Sequence, residues 1–440
     1  MNQTAIENKY RTYLQKILTE YRYQSPGWLK AWREEQLQQF LAKGFPSKHL
    51  ENWKYTDLTA LHNQDYNLPV LESAASKPVP ELSMCLASCD CYHLVFLNGW
   101  YVPHWSSVSG LPVGVVLSNL ATAWHAHAEY LQTCFALPQT SALSHLNGAL
   151  MMDGVFLYVP PQVTLSRPVH IINVTNSDQY NMQHLRNVMM FDRGSSVKII
   201  NEYMMLKQGA CLQNIVTQLQ LGSSANVEFY QIQQQALQAQ HFTSTYCTQQ
   251  SDSQLHWFQY ASGGRLVRDE VDNRLSGKGA SCVMQGIYLG ADHQHIDQHL
   301  CIQHAAAYTN SQQLYKGILA GKATGIFNGK VVVPKNSQHI SAKQINRNLL
   351  LSRAATINTK PELEIYADDV KCAHGATVGQ LDPAALFYLR SRGIDEAAAM
   401  VILTEAFAEE ILAQVHLPWL RERLQVMSQE KLAVVVNQLA

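Results

Sequence analysis

The stretch NIVTQLQLGSSANVEFYQI, residues 214–232, carries the pattern that decides the fold. Apolar and polar residues alternate in it, and a short Gly- and Ser-rich segment interrupts the alternation. On an extended chain, one face of the first run carries Ile215, Thr217, Leu219 and Leu221, and the other carries Gln218 and Gln220. A period of two residues is typical of a half-buried β-strand. The stretch therefore predicts half-buried β-structure.

The same texture extends from about residue 150 to residue 380. Short β-rich runs punctuated by Gly, Asn and Asp recur there, among them SSVKII, LHWFQY, CVMQGIYLG and NGKVVV, and no long helical period separates them. The pattern repeats loosely rather than at one fixed spacing. Such a segment predicts a large all-β core, either a sandwich or a β-solenoid, and alternation by itself does not choose between the two.

Helical patterns precede this β-rich segment. Apolar residues recur every three or four positions from Ile6 to Tyr21, and a second helix is predicted from Trp28 to Lys43. Gly44 then stands where a helix C-cap needs left-handed geometry. Between residues 60 and 150 the pattern weakens, with a strand predicted in YHLVFLNGWYV (92–102) and a helix in NLATAWHAHAEYLQTCFAL (119–137). Residues 1–150 are thus expected to form a helical and mixed region.

Helices are also predicted after the β-rich segment, which we place at residues 151–380. Asp382 suits an N-cap, Pro383 the first helical position and Gly393 a C-cap. A second helix carries an apolar stripe made up of Met400, Leu403, Phe407, Ile411 and Val415, and a third follows Pro418. The stripe of this third region, residues 381–440, fits packing against the chain's own β-core as well as docking of a partner subunit.

Length and charge limit the function classes. The chain has 440 residues, enough for two or three domains of about 150 residues or for one elongated domain with appendages. Its formal net charge of -1 gives no electrostatic case for binding nucleic acid or an anionic membrane surface. The longest purely apolar run, 397–403, is far shorter than the roughly 18 residues of a membrane span. Neutral ligands or other proteins are the expected partners.

The nine cysteines are odd in number and scattered along the chain. The first twenty residues carry Glu7 and Glu20 and lack the apolar segment of a signal peptide. We therefore expect a cytoplasmic protein with reduced thiols. Three of the cysteines lie in CLASCDC (85–91), but the spacing lacks the paired C-x2-C of zinc sites, so this motif is interpreted as structural.

The stretch YADDVKCAHGATVG, residues 366–379, contains the first candidate site. If it is extended, Val370, Cys372 and His374 share one face. Cysteine and histidine together suit a soft or borderline metal, and they also suit a thiolate nucleophile with its base. Buried cysteine is common, however, so a core cysteine beside a hydrogen-bonded histidine is the alternative.

A second histidine-rich stretch, ADHQHIDQHLCIQH (291–304), would project His293, His295, Asp297, His299 and Cys301 to one side of a strand. Alternate residues on one strand are nearly 7 Å apart, so at most two of them could share a tetrahedral ion. A polar strand face is the favoured interpretation of this cluster.

Motifs for autonomous catalysis are missing from the sequence. GILAGKAT and IFNGKVVV contain Gly-Lys, but neither has the G-x4-G-K-[ST] pattern of a phosphate-binding loop. There is no G-x-S-x-G elbow, H-E-x-x-H helix or G-x-G-x-x-G turn after a strand. We expect a protein that does not hydrolyse ATP itself and is not an enzyme.

Five segments carry a resemblance to a known family. They are KPELEIYADDVKCAHGATVGQLDPAALFYLRSRGI (360–394), LYKGILAGKATGIFNGKVVV (314–333), NRNLLLS (346–352), HIDQHLCIQHA (295–305) and GFPSKHLENWKYTDL (44–58). Through them the chain resembles the SufB/SufD family of iron-sulfur cluster assembly scaffolds, and within it the SufD branch. The resemblance covers nearly the whole chain and is weakest between residues 60 and 150.

The resemblance implies a mainly β fold, a right-handed parallel β-helix core flanked by N-terminal and C-terminal α-helical regions. It implies pairing with a SufB-like paralogue, a homodimer when the chain is alone, and docking of a SufC-like ABC ATPase on the C-terminal helices. A transient iron-sulfur cluster would be built at the interface, with His374 as a candidate iron or cluster ligand and Cys372 beside it. Neutral imidazole binds iron while leaving the site less negative than another thiolate would, which favours release of the finished cluster.

Three other interpretations stay open. The nearest is that the chain is a SufB paralogue. The second is a β-solenoid enzyme that uses Cys372 as nucleophile and His374 as base. The third is a purely structural β-helix module.

Overall fold

The structure is a computed structural model that describes residues 3–20, 24–59, 61, 64–69, 80–87 and 89–437. Its α-helices are α1 (Gln3–Glu20), α2 (Gly27–Lys43), α3 (Pro80–Ala87), α4 (Leu120–Ala126), α5 (Ala128–Phe135), α6 (Ala142–Leu150), α7 (Pro383–Ser391), α8 (Glu396–Leu412) and α9 (Pro418–Asn437).

The strands are β1 (Tyr92–Leu97), β2 (Trp100–Tyr101), β3 (Val116–Asn119), β4 (Val155–Val159), β5 (Val169–Thr175), β6 (Asn181–Phe191), β7 (Ser196–Met205), β8 (Cys211–Leu221), β9 (Asn226–Gln234), β10 (Gln240–Gln249), β11 (Gln254–Ala261), β12 (Leu266–Leu275), β13 (Ser281–Gly290), β14 (His295–His304), β15 (Asn310–Leu319), β16 (Thr324–Val333), β17 (Ile340–Leu350), β18 (Thr356–Ile365) and β19 (Val370–Gly379).

Successive strands alternate between two sheets. From β4 onward the even-numbered strands form one sheet, sheet A, and the odd-numbered strands form the other, sheet B, and each strand pairs in parallel with the strand two positions further along the chain. Antiparallel pairing occurs between β1 and β2 and between β3 and β4, at the end of each sheet opposite β18 and β19. The core is thus a parallel β-solenoid, as predicted, and the sandwich alternative is wrong.

Tight turns connect strands of the two sheets. The chain adopts positive φ at Gly194 (67°), Ser224 (58°), Asp252 (57°) and Gly279 (77°), each in the turn between an even strand and the next odd strand. The turns stack on each other, because the amide of Gly194 donates to Ser223 O (2.9 Å) and that of Ser224 to Ser251 O (2.8 Å). Successive coils therefore bend at the same place.

The segment 214–232 lies in β8 and β9, and its apolar face lies inside the solenoid. The buried interior cluster includes Ile215, Leu219, Leu221, Val227 and Phe229. The outer face of β8 is buried as well, so the prediction of a half-buried strand is wrong there. Gln218 is 2% exposed because its side chain donates to Cys134 O of α5 (2.8 Å) and accepts from Arg186 (3.2 Å).

N-terminal helices cover sheet A. The predicted helices α1 and α2 are present, and α2 ends at Gly44 (φ 66°), whose amide donates to Phe40 O (2.7 Å). The single helix predicted over 119–137 is two helices, because the backbone leaves helical geometry at His127, whose ring stacks on Phe156 (centroids 5.1 Å apart). The predicted strand at 92–102 is present as β1 and β2.

C-terminal helices cover part of sheet B. The Asp382 side chain caps α7 by accepting from the amide of Ala384 (2.9 Å), as predicted, and Gly393 has φ 88°. Helices α8 and α9 pack on the outer face of sheet B, in a buried cluster that includes Tyr230, Phe258, Tyr260, Ile411, Val415 and Leu420. The C-terminal end of the apolar stripe therefore packs on the chain's own core. Helix α7, by contrast, buries no residue.

Among the residues that the structure describes, no helix has the length and apolarity required to cross a lipid bilayer. The division at residues 150 and 380 stays a prediction, since β1 and β3 already belong to sheets B and A.

Candidate functional site at the open end of the β-helix

The solenoid ends at β18 and β19, which are the last strands of sheets A and B. Strand β18 pairs with β16 and β19 with β17, and across the described ranges neither has a β-partner on its other edge. The last coil is also the most exposed, because β18 contains no buried residue and β19 none either. An unpaired sheet edge presents a row of backbone donors and acceptors to any strand that can align with it.

Cys372 and His374 lie on β19, and the alternation of the strand puts both on the face that turns toward the solenoid interior. Cys372 lies opposite Ala342 of β17 and is half-buried against an apolar cluster at this end of the solenoid. The buried members of that cluster are Val331, Val333, Ile340, Ala342 and Ala367. Burial raises the pKa of the Cys372 thiol, although a hydrogen bond from the Ala342 backbone works against the rise. His374 is exposed.

Two buried glutamines line up beneath His374. In the register of sheet B, His374 lies opposite Gln344 of β17, and Gln344 lies opposite Gln313 of β15. Both are about fully buried, at 1% and 2% exposure, and within the described chain neither polar atom of either amide has a hydrogen-bond partner. Gly329 makes room for this arrangement, because a Cβ there would overlap the Gln344 amide.

Sequence reasoning missed these glutamines. An unpaired buried amide costs about 1–3 kcal/mol, so native structures keep few of them without a reason. In the strand register Gln344 is the direct neighbour of the exposed His374. Gln313, Gln344 and His374 therefore form a row of polar residues on three adjacent strands, which runs from the interior of the solenoid to its open end.

The donor set at the open end fits iron or an iron-sulfur cluster as cargo. Imidazole and thiolate are both ligands of iron-sulfur clusters, and clusters require about four protein ligands. His374 and Cys372 supply two at most, and the exposed edge beside them leaves space for ligands from another chain. Their role as ligands stays a prediction.

The histidine-rich stretch forms β14 and the turn before it. His295, Asp297, His299 and Cys301 alternate on the outer face of the strand, whereas His293 lies in the turn and is exposed. Among the residues described, this cluster does not bring three metal-ligating atoms within ligand distance of one another. The prediction that all five residues project from one strand is therefore wrong for His293.

Asp297 is the centre of a buried polar network. Its carboxylate pairs with Arg268 and with His299 (2.8 Å), and it accepts a hydrogen bond from Thr56 (2.5 Å). The ring of Trp53 lies 3.7 Å from the Arg268 guanidinium. Burial tends to raise the pKa of Asp297, but Arg268 and His299 outweigh it and hold the pKa well below its usual range. The network fastens the N-terminal segment 44–58 onto sheet A.

The described cysteines comprise one disulfide pair and a set of free thiols. Cys89 and Cys91 form a disulfide, so the expectation that every thiol is reduced is wrong for this pair. The described free cysteines are Cys134, Cys211, Cys247, Cys282, Cys301 and Cys372. Burial raises the pKa of Cys301 to about 12 and that of Cys134 to about 11, which disfavours the reactive thiolate.

The fold and the candidate site define a parallel β-helix protein with an exposed histidine and a half-buried cysteine on the last strand of its open end. Residues 172–407 match the family model described as SUF system FeS cluster assembly, SufBD core domain, and residues 4–171 match the SufBD protein N-terminal region. The chain belongs to the SufB/SufD family of iron-sulfur cluster assembly proteins.

Relatives point to the SufD branch. An iron-sulfur cluster assembly SufBD family protein of Synechocystis is 31% identical over 86% of this chain and 86% of its own length. The iron-sulfur cluster assembly protein SufD of Escherichia coli is 28% identical, covering 86% of this chain and 87% of its own. The SufD of Bacillus subtilis is 25% identical over 92% and 94%. The chain is therefore SufD-like, and its family takes part in iron-sulfur cluster assembly.

Proposed function

We propose that this chain is the SufD-like half of a cytoplasmic scaffold. In this proposal its open end pairs with a SufB-like paralogue, its C-terminal helices recruit a SufC-like ABC ATPase, and a nascent iron-sulfur cluster is the cargo held at the seam. The chain itself carries out no catalysis. The division into regions 1–150, 151–380 and 381–440 assigns ATPase docking to the last of them.

The free edge of β19 is the observation that carries the proposal. Natural proteins usually cover, shorten or charge an exposed edge, because it invites pairing. Here the exposed side chains near the edge are partly apolar, with Tyr366 at 65% and Val378 at 49% exposure. A paralogue with a similar last coil extends both sheets and buries these residues. The same edge supports a homodimer when the paralogue is missing.

ATPase recruitment is supported by α7. None of its residues is buried, and Phe387 and Tyr388 are 73% and 57% exposed. Exposed aromatic side chains of this kind are common anchors of protein interfaces. The packing of α8 and α9 on sheet B holds α7 at a fixed place on the molecule.

In this proposal His374 binds the cluster, with Cys372 beside it. The imidazole is exposed at the seam and the thiol is half-buried, so His374 is the better placed of the two to reach cargo shared with a partner. The raised pKa of the Cys372 thiol argues against the alternative of a lone-chain enzyme with a cysteine nucleophile.

The test is co-expression with SufB-like and SufC-like partners and anaerobic purification through the paralogue. Val378→Asp puts a charge into the proposed seam and should abolish recovery of this chain with the paralogue. Val113→Asp is the matched control, because Val113 is 97% exposed and lies near β3, at the other end of sheet A. Equal recovery of the two variants would contradict end-to-end pairing.

A further inference from the structure

Three metal-ligating side chains meet on the outer face of sheet B, away from the open end. They are Glu228 on β9, His256 on β11 and His416 in the turn between α8 and α9, and one ligand atom of each lies within 4.8 Å of the others. Glu228 and His256 are direct neighbours in the parallel register of β9 and β11. His416 approaches them from the helices that cover sheet B, and its ring stacks on that of His256 (centroids 4.3 Å apart).

A neighbouring glutamine sets the tautomer of His256. The Gln285 amide nitrogen points at Gln414 Oε1 (3.5 Å), so its carbonyl oxygen faces His256 Nε2 (3.0 Å) and accepts the proton there. Nδ1 then carries the lone pair, and among the described residues this buried atom has no hydrogen-bond partner. Histidine ligands of metals are commonly held this way, with the second ring nitrogen donating to a carbonyl.

Glu228 is held as a carboxylate. Burial raises its pKa, but hydrogen bonds from Tyr230 (2.6 Å) and Lys198 (3.2 Å) outweigh this and lower it. Burial lowers the pKa of His256, which keeps the imidazole neutral.

We infer that Glu228, His256 and His416 bind one divalent transition-metal ion of the zinc class. Two imidazoles and one carboxylate, with a remaining position open to solvent, suit such an ion. Ligand bonds of about 2.0–2.1 Å place donor atoms roughly 3.3 Å apart, closer than they are here. The side chain of His416 is 53% exposed and can rotate to close the site. A bound ion ties the α8–α9 turn to the β-helix.

The ammonium group of Lys198 competes with a metal ion for the Glu228 carboxylate. The ammonium contacts Glu228 Oε1, while Oε2 faces His416 Nδ1 at 3.5 Å. Since Lys198 is 41% exposed, it can move to solvent when an ion arrives. Its positive charge nonetheless lowers the affinity for a divalent cation.

The test uses the full-length chain, purified without a histidine tag, stripped with chelator and dialysed against Zn²⁺. One Zn²⁺ per chain is expected. His256→Ala and His416→Ala should each weaken binding at least about tenfold, the lower limit for loss of even an outer-shell partner. Lys198→Gln should bind more tightly than the unaltered chain. His293→Ala is the matched control, an exposed histidine in a turn of the same solenoid, and should bind normally.

Co²⁺ provides a second readout. Bound at this site it should give visible d–d bands without a sulfur-to-cobalt charge-transfer band, and His416→Ala should remove them. Because His416 is exposed, that variant keeps the fold. Binding as tight in His416→Ala as in His293→Ala would overturn the inference. A charge-transfer band would also overturn it, since it would assign the ion to a cysteine.

Discussion

Gln344 lies directly beside His374 in the register between β17 and β19, and over the described residues neither polar atom of its buried amide is hydrogen-bonded. Gln313 repeats this situation one coil deeper. An amide kept unpaired next to an exposed candidate ligand costs stability, which suggests that it serves the cargo or the partner that completes the site.

The variant Gln344→Met should show whether the unpaired amide lowers stability while it supports cluster loading. Replacing the amide by an apolar side chain of similar shape removes two unpaired polar atoms, so we expect the free energy of unfolding to rise by about 1 kcal/mol or more. Iron and sulfide per purified complex should nonetheless fall. Thermal melting and metal analysis of the same preparation measure both effects.

Gln313→Met is the matched control for this variant. It should give a similar gain in stability with normal cluster content, because Gln313 is one strand further from His374. If both variants load cluster normally, the Gln344 amide has no part in the site.

Phe387→Glu should weaken binding of the ATPase subunit about 30-fold, which corresponds to the ~2 kcal/mol of an interface hot spot. Stability should not change, because the side chain is 73% exposed and α7 buries no residue. Binding is measured by titrating the purified ATPase against the chain. Leu237→Glu, in the turn between β9 and β10, is the control, because the leucine is 42% exposed and lies outside the C-terminal helices. Equal losses in both variants, or none in either, would argue against docking on α7.

Asp297→Asn should destabilise the chain by about 3 kcal/mol at neutral pH, because it leaves buried Arg268 without one of its two carboxylate partners. The pKa of Asp297 is lower in the folded than in the unfolded chain. Its contribution is therefore present above the unfolded pKa of about 4 and is lost as the pH falls through the folded pKa. Urea unfolding of both proteins at several pH values measures the difference.

The difference between the unaltered chain and Asp297→Asn should shrink as the pH drops below about 4. Thr56→Val tests the same network from the N-terminal side and should cost less, since it removes a neutral donor. A difference that stays constant down to acid pH would mean that the charge of Asp297 does not stabilise the fold.

Local signals in the sequence predicted local structure well. Asp382, Gly44 and Gly393 cap helices as their residue types require, since capping depends on a few neighbouring backbone groups. Period-two alternation correctly separated the interior face of β8 from its outer face. It could not predict that helix α5 buries Gln218, because that contact joins distant segments.

Winding into a solenoid was not predictable from alternation, since a strand's pattern is the same in a sandwich and in a β-helix. It came from the family resemblance. Alternation did predict that Cys372 and His374 share a face. It gave no sign of Gln344, whose amide is unpaired among the described residues because the adjacent coils offer it no hydrogen-bond partner. Nor did it predict the cluster of Glu228, His256 and His416, which depends on the register of β9 with β11 and on the packing of α8 and α9.

We propose above all that His374 holds cluster cargo at a seam between subunits. The most direct measurement is iron and sulfide per anaerobically purified complex of His374→Ala, together with its melting temperature. Since His374 is exposed, we expect the melting temperature and the subunit composition to stay unchanged and cluster content to fall sharply. Cys372→Ser should match this loss if the thiol is a ligand and be milder if it only shapes the site. A His374→Ala complex that loads normal cluster would contradict the account.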